Sequence, residues 1–261
     1  MRALAVLLLT AGVASAAPEL SAQSAIAIDA TTGEAIFEKR ADDVRPIASM
    51  TKLFVALSLR KHHVDLAKSS TINFDDAKSG IGGAHTILLE GETFANADLF
   101  AAMMLVSDNR VPSALARSVG MSLDELVTDM HHIAKDLGLA KTHFDDATGI
   151  AGNASTAREM ALALRAALRD PVIARYAATR YAKIESVSKR ISSEYRSTVG
   201  PLFDKRFKIV GGKTGHTDAA GYCMIVEAKL GERTIAFALL GAASREASYD
   251  DFAKLAAFVS H

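Results

Sequence analysis

Residues 221–240 read GYCMIVEAKLGERTIAFALL. Two apolar runs, 221–230 and 234–240, flank the triplet Gly231-Glu232-Arg233. Runs rich in Ile, Val and Phe, parted by a short glycine-containing turn, predict an antiparallel hairpin. Just upstream, 207–210 predicts a further strand. Downstream, Phe252, Leu255, Ala256 and Phe258 fall near one helical face and predict a helix over 247–259. Near the other end of the chain, 24–29 and 35–39 read as strands joined by the turn Thr31-Thr32-Gly33-Glu34. Between these ends the pattern is helical, at 96–106, 122–137 and 156–168. Ser122, with Glu125 three residues on, predicts a capping box, and Ser155 or Thr156 caps the third helix. A helix over 50–59 follows Pro46, with Ser49 at its start. Strands at both ends with helices between them predict an α+β fold. Its antiparallel sheet is built from the N- and C-terminal segments with helices on its faces, beside a mostly helical lobe. The sheet lobe is expected at about 18–61 and 202–261, the helical lobe at about 62–201, in a single domain from 18 to 261. The cleft between the lobes is the expected place for a site.

Lys+Arg and Asp+Glu are 30 each in 261 residues, and no basic run occurs, which argues against a nucleic-acid partner. Met1-Arg2, the apolar run to Val13 and the small residues Ala14-Ser15-Ala16-Ala17 predict a cleaved secretory leader over 1–17. The run is too short to span a bilayer, so no membrane span is expected after cleavage, and the location is expected to be periplasmic. Export permits disulfides, but Cys223 is the single cysteine and lies in an apolar run, so a buried core thiol is expected.

Three short motifs carry chemistry. Ser49-Met50-Thr51-Lys52 places a hydroxyl and an amine three residues apart, on one helical face. A serine needs a base to become a nucleophile, and a lysine can be that base once burial or a nearby cation lowers its pKa. Ser107-Asp108-Asn109 closes an apolar helical stretch. Ser107 can pass a proton to a leaving amine, Asn109 can hold a substrate amide, and Asp108 points away to a structural role. Lys213-Thr214-Gly215, after Gly211-Gly212, suits a strand edge closely approached by a ligand. Lys213 would meet a carboxylate and help to depress Lys52, and Thr214 would add a hydroxyl. Taken singly, these are a helix cap beside a surface lysine, a polar cap and a glycine-rich turn. In this order they form the trio S-x-x-K, S-D-N and K-T-G of β-lactamases and penicillin-binding proteins.

With these motifs the sequence resembles the serine D-alanyl-D-alanine peptidases, the low-molecular-mass penicillin-binding proteins, from Ala25 to Val259. The stretch 48–53 is similar to the family's nucleophile helix, and 213–221 to its substrate-binding strand and turn. The resemblance implies a β-lactamase/transpeptidase-like fold, Ser49, Lys52 and Ser107 as catalytic residues, and Asn109, Lys213, Thr214, Gly215 and His216 as substrate-binding residues. It further implies an oxyanion hole from the Ser49 and His216 N–H groups. Stem peptides of peptidoglycan would be the substrate and β-lactams covalent inhibitors, with no cofactor or metal. The segments 153–159 and 219–223 resemble the endopeptidase branch, as does a chain ending soon after its last helix. D-Ala–diaminopimelate cross-links are then the expected substrate, and carboxypeptidase action the alternative.

A β-lactamase shares the motifs but needs a deacylating glutamate in an E-x-x-L-N pattern. Glu159-Met160-Ala161-Leu162 is followed by Ala163, so Glu159 reads as a solvated helix residue. An inactive wall-binding homologue is disfavoured by the intact Ser49 and Lys52. His62-His63 and His131-His132 are adjacent pairs that diverge on a helix, so they read as surface or interfacial rather than metal ligands. No role emerges for the side chain of His216, or for His85.

Overall fold

The computed structural model describes residues 17–84 and 86–260. The predicted leader, except for its last residue, and His85 therefore lie outside the described residues. In chain order come β1 (Ser24–Asp29), β2 (Ala35–Lys39), the two-residue β3 (Arg45–Pro46), a 3-10 turn (Ala48–Thr51), α1 (Lys52–Lys61), β4 (Ser69–Thr71) and α2 (Phe74–Ser79). Next are β5 (Thr93–Ala95), α3 (Asn96–Val106), α4 (Val111–Ser118), α5 (Leu123–Asp136), β6 (Ala154–Ser155), α6 (Ala157–Ala167) and α7 (Pro171–Ala177). The chain closes with the hairpin β7 (Tyr181–Glu185) and β8 (Ser192–Arg196), a 3-10 turn (Gly200–Phe203), β9 (Lys208–Thr217), β10 (Gly221–Leu230), β11 (Arg233–Ala242) and α8 (Arg245–Val259).

The architecture is α+β. A five-stranded sheet runs in the order β2-β1-β11-β10-β9, antiparallel throughout. The chain ends meet in its middle, where β1 pairs β11 from Ser24 opposite Leu240 to Asp29 opposite Ile235. Alternation along these strands divides the core in two. Ile26, Ile28, Ile225, Ala236, Ala238 and Leu240 face the helices, while Ala27, Met224, Val226, Ile235, Phe237 and Leu239 face α8. Each large side chain so buried contributes about 1.5–3 kcal/mol. On the α8 side Phe252 sits edge-on to both Phe237 and Phe207.

On the helical side, α3 is apolar all round and buried from Leu99 to Leu105, as a central helix must be. The predicted caps form: Ser122 and Glu125 make a reciprocal capping box on α5, and the Thr156 side chain accepts from the Glu159 N–H at the start of α6. The sequence pattern does not reveal α2, α4, α7 or the β7–β8 hairpin. α2 and α7 run only 6 and 7 residues, too short to show a period. The C-terminal strand predicted at 207–210 extends further, running unbroken from Lys208 through the Lys-Thr-Gly motif to Thr217. β9 is thus an edge strand whose far end reaches the cleft. Among the described residues, no helix is long and apolar enough to cross a membrane.

Candidate active site

Ser49 lies in the 3-10 turn that leads into α1. Its predecessor Ala48 has φ +48°, in the left-handed region. For a residue with a Cβ that costs roughly 1–2 kcal/mol. The turn is held from both sides. β3 pairs β6, and Ile47 N–H donates to the Asn153 carbonyl at 3.2 Å. The Asn153 side chain donates to Thr51 Oγ1 at 2.9 Å and accepts from Asp145 N–H at 2.7 Å. Gly149, at φ +89°, packs so closely that a Cβ there would lie 2.1 Å from the Ala48 carbonyl oxygen. On the opposite side, a Cβ on Gly215 would lie 2.8 Å from the Ser49 nitrogen. Glycine is required at both positions because the backbones of two other segments press against the Ser49 turn.

Lys52, one turn on, is fully buried. Its Nζ donates to Ser49 Oγ at 3.0 Å, to Asn109 Oδ1 at 2.6 Å and to the Thr148 carbonyl at 2.6 Å. Burial lowers its pKa to about 7, against the opposing charges of Asp108 and Asp146. A lysine with that pKa can accept the Ser49 proton near neutrality. Asp146 is held as a carboxylate in the loop beside Lys52. Despite partial burial, its pKa is lowered by the N–H groups of Thr148, Gly149 and Ala151 and the Thr148 hydroxyl.

Ser107 ends α3 with φ +63°, the left-handed cap that helices usually give to glycine. Asp108 turns inward as expected. It is fully buried, accepts from Arg110 N–H at 2.8 Å and is hydrogen-bonded by the Thr86 hydroxyl. Asn109 returns to the cleft, but its carbonyl is taken by Lys52.

Lys213 lies on β9 behind Ser107. Its side chain is fully buried, with Nζ donating to Ser107 Oγ and to the Thr214 carbonyl, the latter at 2.9 Å. Burial, then the charge of Lys52, holds its pKa well below the ordinary lysine value.

These groups surround a cleft of about 340 Å³ lined by Ser49, Ser107, Asn109, Thr214, Gly215 and His216, among others. His216 is exposed and stacks on Tyr222, its cross-strand partner, with ring centroids 4.1 Å apart. Cys223 is 2% exposed, and burial pushes its thiol up to about 11. Glu159 is not solvated: it is 8% exposed and accepts from Lys141 N–H at 2.9 Å and Thr142 Oγ1 at 2.7 Å. From the first turn of α6 its side chain folds back onto the preceding loop rather than toward water, and it does not line the cleft.

Three features of the site carry no sequence pattern. They are the loop Asp146-Thr148-Gly149, Thr198, and Arg245 at the start of α8. Among the described residues lining the cleft, Arg245 is the one with a permanently charged side chain.

The D-alanyl-D-alanine endopeptidase of Escherichia coli (strain K12) is 26% identical over 93% of this chain and 78% of its own length. The D-alanyl-D-alanine carboxypeptidase DacA of the same organism is 31% identical over 86% of this chain and 57% of its own length. The Streptomyces K15 DD-transpeptidase crystal structure superposes with a TM-score of 0.86 at 25% identity, covering 93% of this chain and 98% of that one. The D-alanyl-D-alanine carboxypeptidase structure from Mycobacterium tuberculosis H37Rv gives 0.83 at 26% identity, covering 92% and 91%. The profile of the D-alanyl-D-alanine carboxypeptidase family, peptidase S11, matches residues 11–244, and the chain belongs to that family.

Proposed function

We propose that this chain is a periplasmic serine endopeptidase that hydrolyses D-Ala–diaminopimelate cross-links of peptidoglycan through an acyl-enzyme on Ser49. The observation that carries the reading is the buried Lys52 amine, 3.0 Å from Ser49 Oγ and shifted to about 7. Neutral Lys52 takes the Ser49 proton as Oγ attacks the D-Ala carbonyl carbon. The oxyanion accepts hydrogen bonds from the Ser49 and His216 N–H groups, which supply several kcal/mol of transition-state stabilisation. As the C–N bond breaks, Ser107 gives its proton to the departing amine, and the proton that Lys52 took from Ser49 restores the Ser107 hydroxyl, which Lys213 orients as its hydrogen-bond partner. Water then attacks the ester, losing a proton to Lys52, and Lys52 passes that proton to Ser49 Oγ as the acyl C–O bond breaks.

Lys213 is buried and engaged, so we assign the carboxylate beside the scissile bond to Arg245 and Thr214, with Lys213 acting through Ser107. The endopeptidase choice is supported by the relatives of that name from Escherichia coli and Pseudomonas aeruginosa, matched over 93% and 91% of this chain. Penicillin acylates the same serine but leaves no departing fragment. Among the described residues lining the cleft, none offers a carboxylate to activate water against the ester, so the adduct is expected to persist.

The test is digestion of purified wall fragments. Cleavage of cross-linked dimers is expected; loss of only the terminal D-Ala from a pentapeptide would make the chain a carboxypeptidase. Intact mass should show one long-lived penicillin adduct, absent from Ser49→Ala. Rapid turnover of penicillin would overturn the peptidase reading in favour of a β-lactamase.

A further inference from the structure

A second concavity lies away from the cleft, at the foot of β9. It is an open groove of about 780 Å³ lined by Arg180, Tyr181, Leu202, Lys205, Phe207 and Lys208, with Ala178 and Ile209. Its residues do not overlap those of the cleft. Lys208 opens the strand that carries Lys213 near its middle, five residues or roughly 16 Å further along.

The charge of this groove is one-sided. It has three cations and no carboxylate in its lining, on a chain whose net charge is zero. Among the described residues, no acid makes an ion pair with Arg180, Lys205 or Lys208. The nearby Asp204 is occupied by Arg206 at 2.6 Å. Lys208 also sits directly opposite Lys229 of β10, and like charges placed so destabilise a sheet. The fold gains nothing from that pairing, whereas an anion in the groove would relieve it. The walls supply aromatic surface as well: Tyr181 is half exposed and stands edge-on to Phe203, over which the Arg196 guanidinium lies at 3.9 Å.

We propose that this groove is a second binding site, outside the cleft, for the anionic peptide-bearing strands of the wall polymer. The identity of the polymer rests on the wall-peptide reading above; the cationic groove does not. Stem-peptide carboxylates would meet Arg180, Lys205 and Lys208, while sugar or peptide surface lies against Tyr181 and Phe207. A concave groove with an aromatic wall suits a chain better than the flat surface of a bilayer. Three cations are too few to hold nucleic acid at physiological salt. Gripping the polymer at a point away from the scissile bond raises the local concentration of cross-links at the cleft without any new catalytic contact.

The test is sedimentation of the full chain with isolated insoluble wall, in a Ser49→Ala background so that the wall is not digested. The triple variant R180A/K205A/K208A is expected to bind about tenfold more weakly, at about half a kcal/mol per exposed charge. The parent should lose a similar factor in about 0.5 M salt. Lys205→Arg with Lys208→Arg should bind as the parent does. In the Ser49 enzyme, the triple variant should cleave a soluble cross-linked dimer at the parent rate. Unchanged wall binding by the triple variant overturns the proposal. So does loss of dimer cleavage, which would make the groove part of the cleft. Groove-dependent binding to phosphatidylglycerol vesicles with none to wall would reassign it to a lipid surface. An enzyme that fails to cut the dimer but binds wall through these residues would refute the proposed reaction and leave the groove standing.

Discussion

Lys52 and Lys213 are both fully buried, both donate to a serine, and yet they occupy different electrostatic settings. Lys52 keeps two carboxylates in range, Asp108 and Asp146, which oppose the cost of burial and leave it at about 7. Lys213 has only neutral acceptors, Ser107 Oγ and the Thr214 carbonyl, and the charge of Lys52 pushes in the same direction as burial. Burial alone would make both lysines neutral and interchangeable. The placing of two aspartates gives one of them a pKa suited to a general base, and leaves the other a neutral amine that holds the Ser107 hydroxyl.

The hardest test of this contrast is Lys52→Ala. It should reduce Ser49 acylation by about 10²- to 10⁴-fold, the size of a general-base contribution. A stopped-flow or fluorescent-penicillin assay reads this directly. If Lys213 could substitute for Lys52, the loss would be far smaller and the division of labour would fail.

The two lysine regions touch at Gly215, where β9 presses on the Ser49 turn. Gly215→Ala must move the Ser49 nitrogen or the strand carrying Lys213, because a Cβ 2.8 Å from that nitrogen cannot be accommodated. A displacement of about 1 Å is enough for a loss of roughly 100-fold in kcat/KM, with the rate affected more than the melting temperature. Retained acylation would mean that the close approach is incidental.

pH separates the lysines more finely. Acylation should rise about tenfold per pH unit up to pH about 7 and then level off, as Lys52 loses its proton. Stability should move the same way. Unfolded Lys52, at its ordinary 10.5, binds a proton that the folded residue has shed, so folding is increasingly favoured as pH rises from about 7 toward 10.5. Lys213→Arg places a permanent cation beside Lys52 and should move the rising limb below pH 7 at a reduced maximal rate. A limb that stays in place would show that the two groups do not feel each other.

Much of this site is legible in the sequence because its main parts are local. Ser49 and Lys52 are one helical turn apart, and Ser107 to Asn109 are contiguous. The sheet is legible for the same reason, through the apolar runs within Gly221–Leu230 and Arg233–Ala242 and the short turn between them. The missed parts act across long separations. Thr148 meets Lys52 across 96 residues and Asn153 meets Thr51 across 102. Asn153 does lie in the segment resembling endopeptidases, but nothing local assigns it to bracing the nucleophile turn. Arg245 is one helix-start arginine among many basic residues until α8 brings it to the cleft. Glu159 and Lys213 show a related limit. Sequence supplies their charge, but burial and partners decide whether that charge faces the cleft.

The smallest expected effect lies on the Lys213 side, at Thr198. Its hydroxyl bonds Thr214 Oγ1 and the Leu105 carbonyl, just before Ser107, and its own carbonyl accepts from Tyr249 of α8 at 2.7 Å. This residue therefore joins α3, β9 and α8, the three elements that carry Ser107, Lys213 and Arg245. Tyr249→Phe removes one hydrogen bond, worth about 1 kcal/mol net, while keeping the ring that packs against Gly200. The loss should be about fivefold, and in KM rather than in the pH limb, because Arg245 shifts with α8 while Lys52 stays in place. Thr198→Val, which keeps the shape but not the hydroxyl, should instead lower kcat by a similar factor through Ser107 and Thr214. Equal effects of both variants on KM and kcat would mean that the junction moves as one body, and that the Lys213 region is no more divisible than the Lys52 region.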